Sequence, residues 1–115
     1  MILVTSVHKV QELDIAILFT DRHAYPPLAR FFDDVTMLEE IDWPLLQQRD
    51  SRRDEDDPEK VERYQAEALV HRNLPTAPLL GAICCSDAVK RFIDRWVANV
   101  GVTLDVRSIP GWYFQ

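Results

Sequence analysis

Three features of this sequence have the chemistry to run a reaction: the carboxylate of Glu67 in "RYQAEALV", the run Asp21-Arg22-His23 in "TDRHA", and the adjacent thiols of Cys84 and Cys85. Glu67 lies between alanines at the start of an apolar run, just after the most charged segment of the chain. A carboxylate so placed can serve as general base, metal ligand or anchor for a sugar hydroxyl; the plainer assignment is a water-facing residue on an edge strand. Fed by a long loop, it has a rigid base and a mobile neighbour, which suits a site where a lid closes over substrate. Asp21 and His23 follow a buried strand, where they either join a site or serve locally, Asp21 capping the next helix and His23 bonding within the turn. Cys84 and Cys85 would point to opposite faces of a strand, so a disulfide between them is strained. They read as small buried hydrophobes in a reducing compartment.

Much chemistry is excluded. His8, His23 and His71 lie far apart, with no spacing that puts two on one face as metal ligands. There is no GxSxG element, and three glycines are too few for a phosphate-binding loop or a dinucleotide fingerprint. A net charge of −6 opposes a protein that coats nucleic acid through a global basic field, though it leaves room for a local basic groove. No apolar run approaches the roughly 20 residues that cross a bilayer, and the N-terminus lacks a basic n-region, so a cytoplasmic protein is expected. Trp112, Tyr113 and Phe114 pack a core or stack on bases.

The elements that must position these groups are short. At 115 residues, 47% hydrophobic and 28% charged, the chain fits one α+β domain. Val7, Val10 and Leu13 predict a helix over 6–13. "IAILF" (15–19) predicts a strand covered on both faces, and Pro26-Pro27 open a helix carrying Leu28, Phe31 and Phe32. From Thr36 to Asp57 periodicity fails, and Leu38, Ile41, Trp43, Leu45 and Leu46 anchor a long loop or short helical turns. Between Asp50 and Arg63 seven acids face four bases, the composition of a solvated, mobile segment. A turn or two of helix follows Pro58, then the strands "AEALV" and "LLGAICC". Ser86 caps the clearest helix, whose stripe is Val89, Phe92, Ile93, Trp96, Val97 and Val100, and Gly101 ends it. Val102, Leu104 and Val106 predict a half-exposed strand.

The order of short motifs is more specific than any one of them. "LFTDRHAY" (18–25), "ARFFDD" (29–34), "IDW" (41–43), "ERYQAEALVH" (62–71) and a closing "GWYF" (111–114) together resemble the C-terminal half of the DarT family. These are bacterial toxins that use NAD to ADP-ribosylate thymine in single-stranded DNA. The resemblance implies an ADP-ribosyltransferase-like split mixed β-sheet with flanking helices, apparently without its N-terminal half. It implies that Glu67 is catalytic and that the irregular stretch from about Thr36 to Ala66 recognises substrate. Arg49, Arg52, Arg53 and Arg63 then become candidate phosphate contacts and Trp43 a base-stacking residue; solvated arginines and a buried loop anchor remain the alternatives.

Cleaving the nicotinamide glycosidic bond builds positive charge at the ribose anomeric carbon. A fixed carboxylate can hold the neighbouring 2′-hydroxyl and stabilise that centre. It is a weak base for the thymine N3 proton at pH 7. The family's NAD-cradling elements, including a histidine and an arginine, precede the matched region, and no residue here corresponds to them. The resemblance therefore implies weak or no transferase activity for these residues alone, with NAD as co-substrate, no metal, and a macrodomain antitoxin (DarG-like) as genetic partner. The competing expectation is a noncatalytic interaction module of the same fold.

Overall fold

The computed structural model describes Met1–Tyr113; Phe114 of the closing motif lies outside the described residues. Along the chain run β1 (Ile2–Val4), α1 (Val7–Gln11), β2 (Ile17–Thr20), β3 (Phe31–Phe32), a 3-10 helix (Val35–Glu40), α2 (Trp43–Gln48), α3 (Lys60–Tyr64), β4 (Ala68–Val70), β5 (Gly81–Cys84), α4 (Asp87–Asn99), β6 (Val106–Ser108) and a 3-10 turn (Pro110–Trp112). They fall into two compact units: Met1–Asp14 with the chain from Leu74 onward, and Ile15–Asn73.

In the first unit β5 is the centre of a mixed sheet, antiparallel to β1 and parallel to β6. All four β5 residues are buried, as expected for a strand paired on both edges and covered by a helix. Gly81 is required there: a Cβ would lie 2.5 Å from the Asp105 carbonyl oxygen. Ala82 and Cys84 pack with Val106 against Ile93 and Val97 of α4. Ser86 caps α4, its hydroxyl accepting the Val89 N–H at 3.3 Å. The helix ends with Gly101 at φ +72°. The Gly101 and Val102 N–H groups return to the Ala98 and Val97 carbonyls, a Schellman ending. That ending takes Val102 into the helix exit, so the strand expected from Val102 begins only at Val106. The expected apolar stripe is also half right: Ile93 and Val97 are buried, but Phe92 and Trp96 are 64% and 59% exposed. Cys84 is buried and Cys85 exposed, both as free thiols.

In the second unit β2 is central, antiparallel to β3 and to β4. Phe19 is buried and stacks on Phe32 with ring centroids 5.9 Å apart. The helix expected after Pro26-Pro27 does not form. Pro26 to Ala29 make a turn, and Phe31–Phe32 are extended because they pair with Thr20 and Phe19. Tertiary pairing overrides the helical spacing. β2 is covered less fully than a doubly buried strand, since Leu18 stays exposed. The irregular region resolves into the 3-10 helix and α2, capped by Asp34 and Asp42 and anchored by buried Ile41 and Leu45.

Candidate active site around Glu67

Glu67 immediately precedes β4, one position beyond the Phe19–Ala68 pair of the β2–β4 ladder. Its backbone is held twice by Thr20: the Thr20 N–H donates to the Glu67 carbonyl at 2.9 Å, and the Glu67 N–H donates to the Thr20 hydroxyl at 3.0 Å. Its side chain is fixed from the loop after β2, where the Ala24 N–H donates to Oε2 at 3.0 Å. Among the described residues nothing donates to Oε1. One carboxylate oxygen is therefore anchored and the other is free to take a hydroxyl proton.

The loop that supplies Ala24 is itself tied down. Asp21 is 4% exposed and receives the Arg30 N–H at 2.9 Å and the Arg30 Nε–H at 3.0 Å. Burial alone would raise the Asp21 carboxyl; the Arg30 hydrogen bonds, with the positive charges of Arg22 and Arg30, outweigh it and hold it below the usual range. Asp21 thus closes the β2–β3 turn, where the sequence suggested a helix cap. The Arg22 guanidinium reaches Glu59 at 3.1 Å, with Glu62 and Asp21 somewhat farther. Its buried Nε has no hydrogen-bond partner among the described residues. The His23 N–H donates to the Glu62 carbonyl at 2.9 Å, and its Nδ1 accepts the Tyr25 N–H at 3.1 Å. The Tyr25 bond is the turn role its sequence position suggested, and the Glu62 bond ties the loop to α3. Among the described residues no group of three or more His, Cys, Asp or Glu could hold a metal ion.

The charged loop carries more ion pairs than a plain solvated run would. Lys60 Nζ meets Asp50 at 2.9 Å, and Arg63 bridges Asp57 and Asp42. Asp50 lies below the ordinary carboxyl range, through hydrogen bonds from Arg52 and then Lys60; Arg63 does the same to Asp57. The four arginines therefore differ. Arg63 is committed to two carboxylates, and exposed Arg52 is paired with Asp50. Arg49 and Arg53 are exposed, and their guanidinium groups have no partner among the described residues. Arg49 also adopts φ +56° as the C-cap of α2. Trp43 is half exposed with its indole N–H on the Leu38 carbonyl at 2.8 Å, so it anchors the turn while keeping a ring face accessible. Sequence reasoning missed Thr20 and Ala24. A threonine closing an otherwise apolar run was the available signal; a backbone donor leaves none.

Solved structures share this fold. Thermus sp. 2.9 DarT in complex with NAD+ matches with a TM-score of 0.86 and 29% identity, covering 97% of this chain and 56% of that one. Thermus sp. 2.9 DarT in complex with ADP-ribosylated ssDNA matches with a TM-score of 0.88 and 27% identity, covering 97% of this chain and 53% of that one. The fold is that of an ADP-ribosyltransferase, matched over about half of it. The family described as "ssDNA thymidine ADP-ribosyltransferase, DarT" matches residues 1–114, and the chain belongs to the DarT family. A DNA ADP-ribosyl transferase of Escherichia coli O127:H6 (strain E2348/69 / EPEC) is 43% identical over all 115 residues. One of Thermus sp. (strain 2.9) is 37% identical over 75 residues. The chain spans 53% of the length of the Escherichia coli relative.

Proposed function

We propose that these 115 residues are the catalytic-glutamate portion of one DarT-like ADP-ribosyltransferase domain, which transfers ADP-ribose from NAD to thymidine in single-stranded DNA. The observation that carries this reading is the geometry of Glu67, a carboxylate fixed by its backbone and by Oε2 with Oε1 left open. Oε1 takes the ribose 2′-hydroxyl. The negative charge then lies beside the anomeric carbon as the bond to nicotinamide breaks, where a preorganised group stabilises developing charge at no reorganisation cost. As nicotinamide departs, thymine N3 bonds to the anomeric carbon and its proton passes to the Glu67 carboxylate and from there to solvent. Supporting the choice of substrates, the similar Thermus structures hold NAD+ and ADP-ribosylated ssDNA. Arg49 and Arg53, whose guanidinium groups have no partner among the described residues, are the arginines best placed to meet phosphates, with Trp43 offering a ring face to a base. A macrodomain antitoxin that removes ADP-ribose from DNA is the expected partner of such a toxin.

The test compares the 115-residue chain with the product of its gene carrying any in-frame sequence ahead of Met1. Each is mixed with NAD and a thymidine-containing oligonucleotide and read by mass spectrometry. The longer product is expected to add ADP-ribose, the short chain little or none, and Glu67→Gln to abolish the addition. Unchanged modification by Glu67→Gln would overturn the catalytic assignment.

A second reading rests on the exposed Phe92 and Trp96 of α4: a noncatalytic module of the same fold that binds a partner protein through that face. Loss of partner capture by Trp96→Glu, with Glu67→Gln silent in every assay, would favour it.

A further inference from the structure

The β2–β4 ladder is regular through three pairs and then changes at Thr20 and Glu67. A hydrogen-bonded antiparallel pair exchanges two N–H···O=C bonds. Here the Thr20 N–H does reach the Glu67 carbonyl, but the Glu67 N–H goes to the Thr20 side-chain oxygen. That hydroxyl in turn donates a hydrogen bond to the Arg22 carbonyl at 2.6 Å. Two residues on, the Ala24 N–H holds Glu67 Oε2. The circuit is closed: Thr20 Oγ1 fixes the backbone of Glu67 on one side and the loop that grips its carboxylate on the other.

We infer that Thr20 is a positioning residue for the reactive carboxylate, its hydroxyl setting the distance between the Glu67 backbone and the Arg22–Ala24 loop. The inference rests on the proposed role of Glu67. Thr20 is 0% exposed, so no bulk water stands ready to replace the hydroxyl, and losing it would take from the Glu67 N–H the acceptor it has here. Threonine also suits the task better than serine, because its second γ-substituent restricts χ1. The strand pairing itself does not need this side chain; Ile17, Leu18 and Phe19 pair with Val70, Leu69 and Ala68 through backbone register. What the hydroxyl adds ends on Glu67 and on the loop that holds it.

The experiment has two arms. In amide hydrogen exchange on the 115-residue chain, Thr20→Val is expected to speed exchange at Glu67 and Ala24 by about tenfold or more relative to Leu69 and His71, with Thr20→Ser restoring protection. Thr20→Cys, smaller and a poor acceptor, replaces the valine variant if that one does not fold. Equal changes at Ala24 and at Leu69 would overturn the inference. In the transferase assay on the longer product, corrected for folded fraction, kcat is expected to fall about tenfold or more with KM for NAD little changed, and serine to recover it. Wild-type kcat in Thr20→Val would also overturn it. If Glu67→Gln leaves modification intact, the reading of the site fails by itself, while the exchange arm still decides whether the hydroxyl holds the loop.

Discussion

Arg30 meets Asp21 twice, its backbone N–H on Oδ1 at 2.9 Å and its Nε–H on Oδ2 at 3.0 Å, so one buried carboxylate both closes the β2–β3 turn and fixes the residue that leads into β3. The same carboxylate faces Arg22, which reaches across to Glu59 near α3. The loop holding the Glu67 side chain is therefore framed by an acid and two arginines instead of by apolar packing.

Acid sensitivity follows from that arrangement. Asp21 is held below its usual range in the folded state, and Asp50 and Asp57 are lowered too. A depressed carboxyl contributes stability above its unfolded value, about 4, and that contribution disappears as pH falls through the folded value. Thermal unfolding measured from pH 7 down to pH 2 should show a decline setting in below about pH 4. In Asp21→Asn the stability at pH 7 should be lower and the decline shallower; an unchanged acid slope would show that Asp21 is not a principal contributor.

Gly81 offers a test of the first unit. A methyl group at this position would meet the Asp105 carbonyl oxygen, a backbone atom that cannot rotate away. Gly81→Ala must push β5 and the approach to β6 apart. It should destabilise by on the order of 1–3 kcal/mol in denaturant unfolding. Gly111, where nothing lies within 4 Å of an added Cβ, is the control and should tolerate alanine with little change.

The arginines of the charged loop should separate by experiment. Arg49→Gln and Arg53→Gln remove exposed cations that serve no internal pair, so they should weaken binding to a single-stranded oligonucleotide while leaving unfolding unchanged. Each should lower the slope of log affinity against log salt by roughly 0.7 if it contacts a phosphate. Arg63→Gln should do the reverse, costing stability because Asp42 and Asp57 both lose their partner. A salt slope unchanged from the native chain in both Arg49→Gln and Arg53→Gln would remove the loop from the DNA path.

The sequence carried β2, β4, β5 and the long helix because their signals are local. Ser86 and Gly101 bracket α4 by cap chemistry, and "GAIC" is apolar throughout because β5 is paired on both edges. It failed where long-range pairing decided the outcome. Phe31 and Phe32 have helical spacing from Leu28, yet partnership with Thr20 and Phe19 makes them a strand. The position of Glu67 was legible, and its motif order identified the family; its anchoring was not, because a threonine 47 residues away and a backbone N–H supply it. The exposure of Phe92 and Trp96 was equally invisible, since an amphipathic stripe shows that a face is apolar and not what covers it.

Glu67→Asp is the most demanding substitution, because it keeps the charge and removes one methylene. The Ala24 N–H lies at hydrogen-bond distance from a glutamate oxygen. An aspartate, shorter by about one carbon–carbon bond, has to release Ala24 to keep its other oxygen forward, or stay with Ala24 and withdraw that oxygen from the ribose. Either outcome misplaces the charge, and misplacement of about 1 Å costs on the order of 10²-fold in rate. The expected result on the longer product is a kcat lower by on the order of 10²-fold, with unfolding like that of the native chain because the side chain is only partly buried. An aspartate variant retaining most of the native kcat would show that charge alone suffices and that the hold on Oε2 does not set the rate.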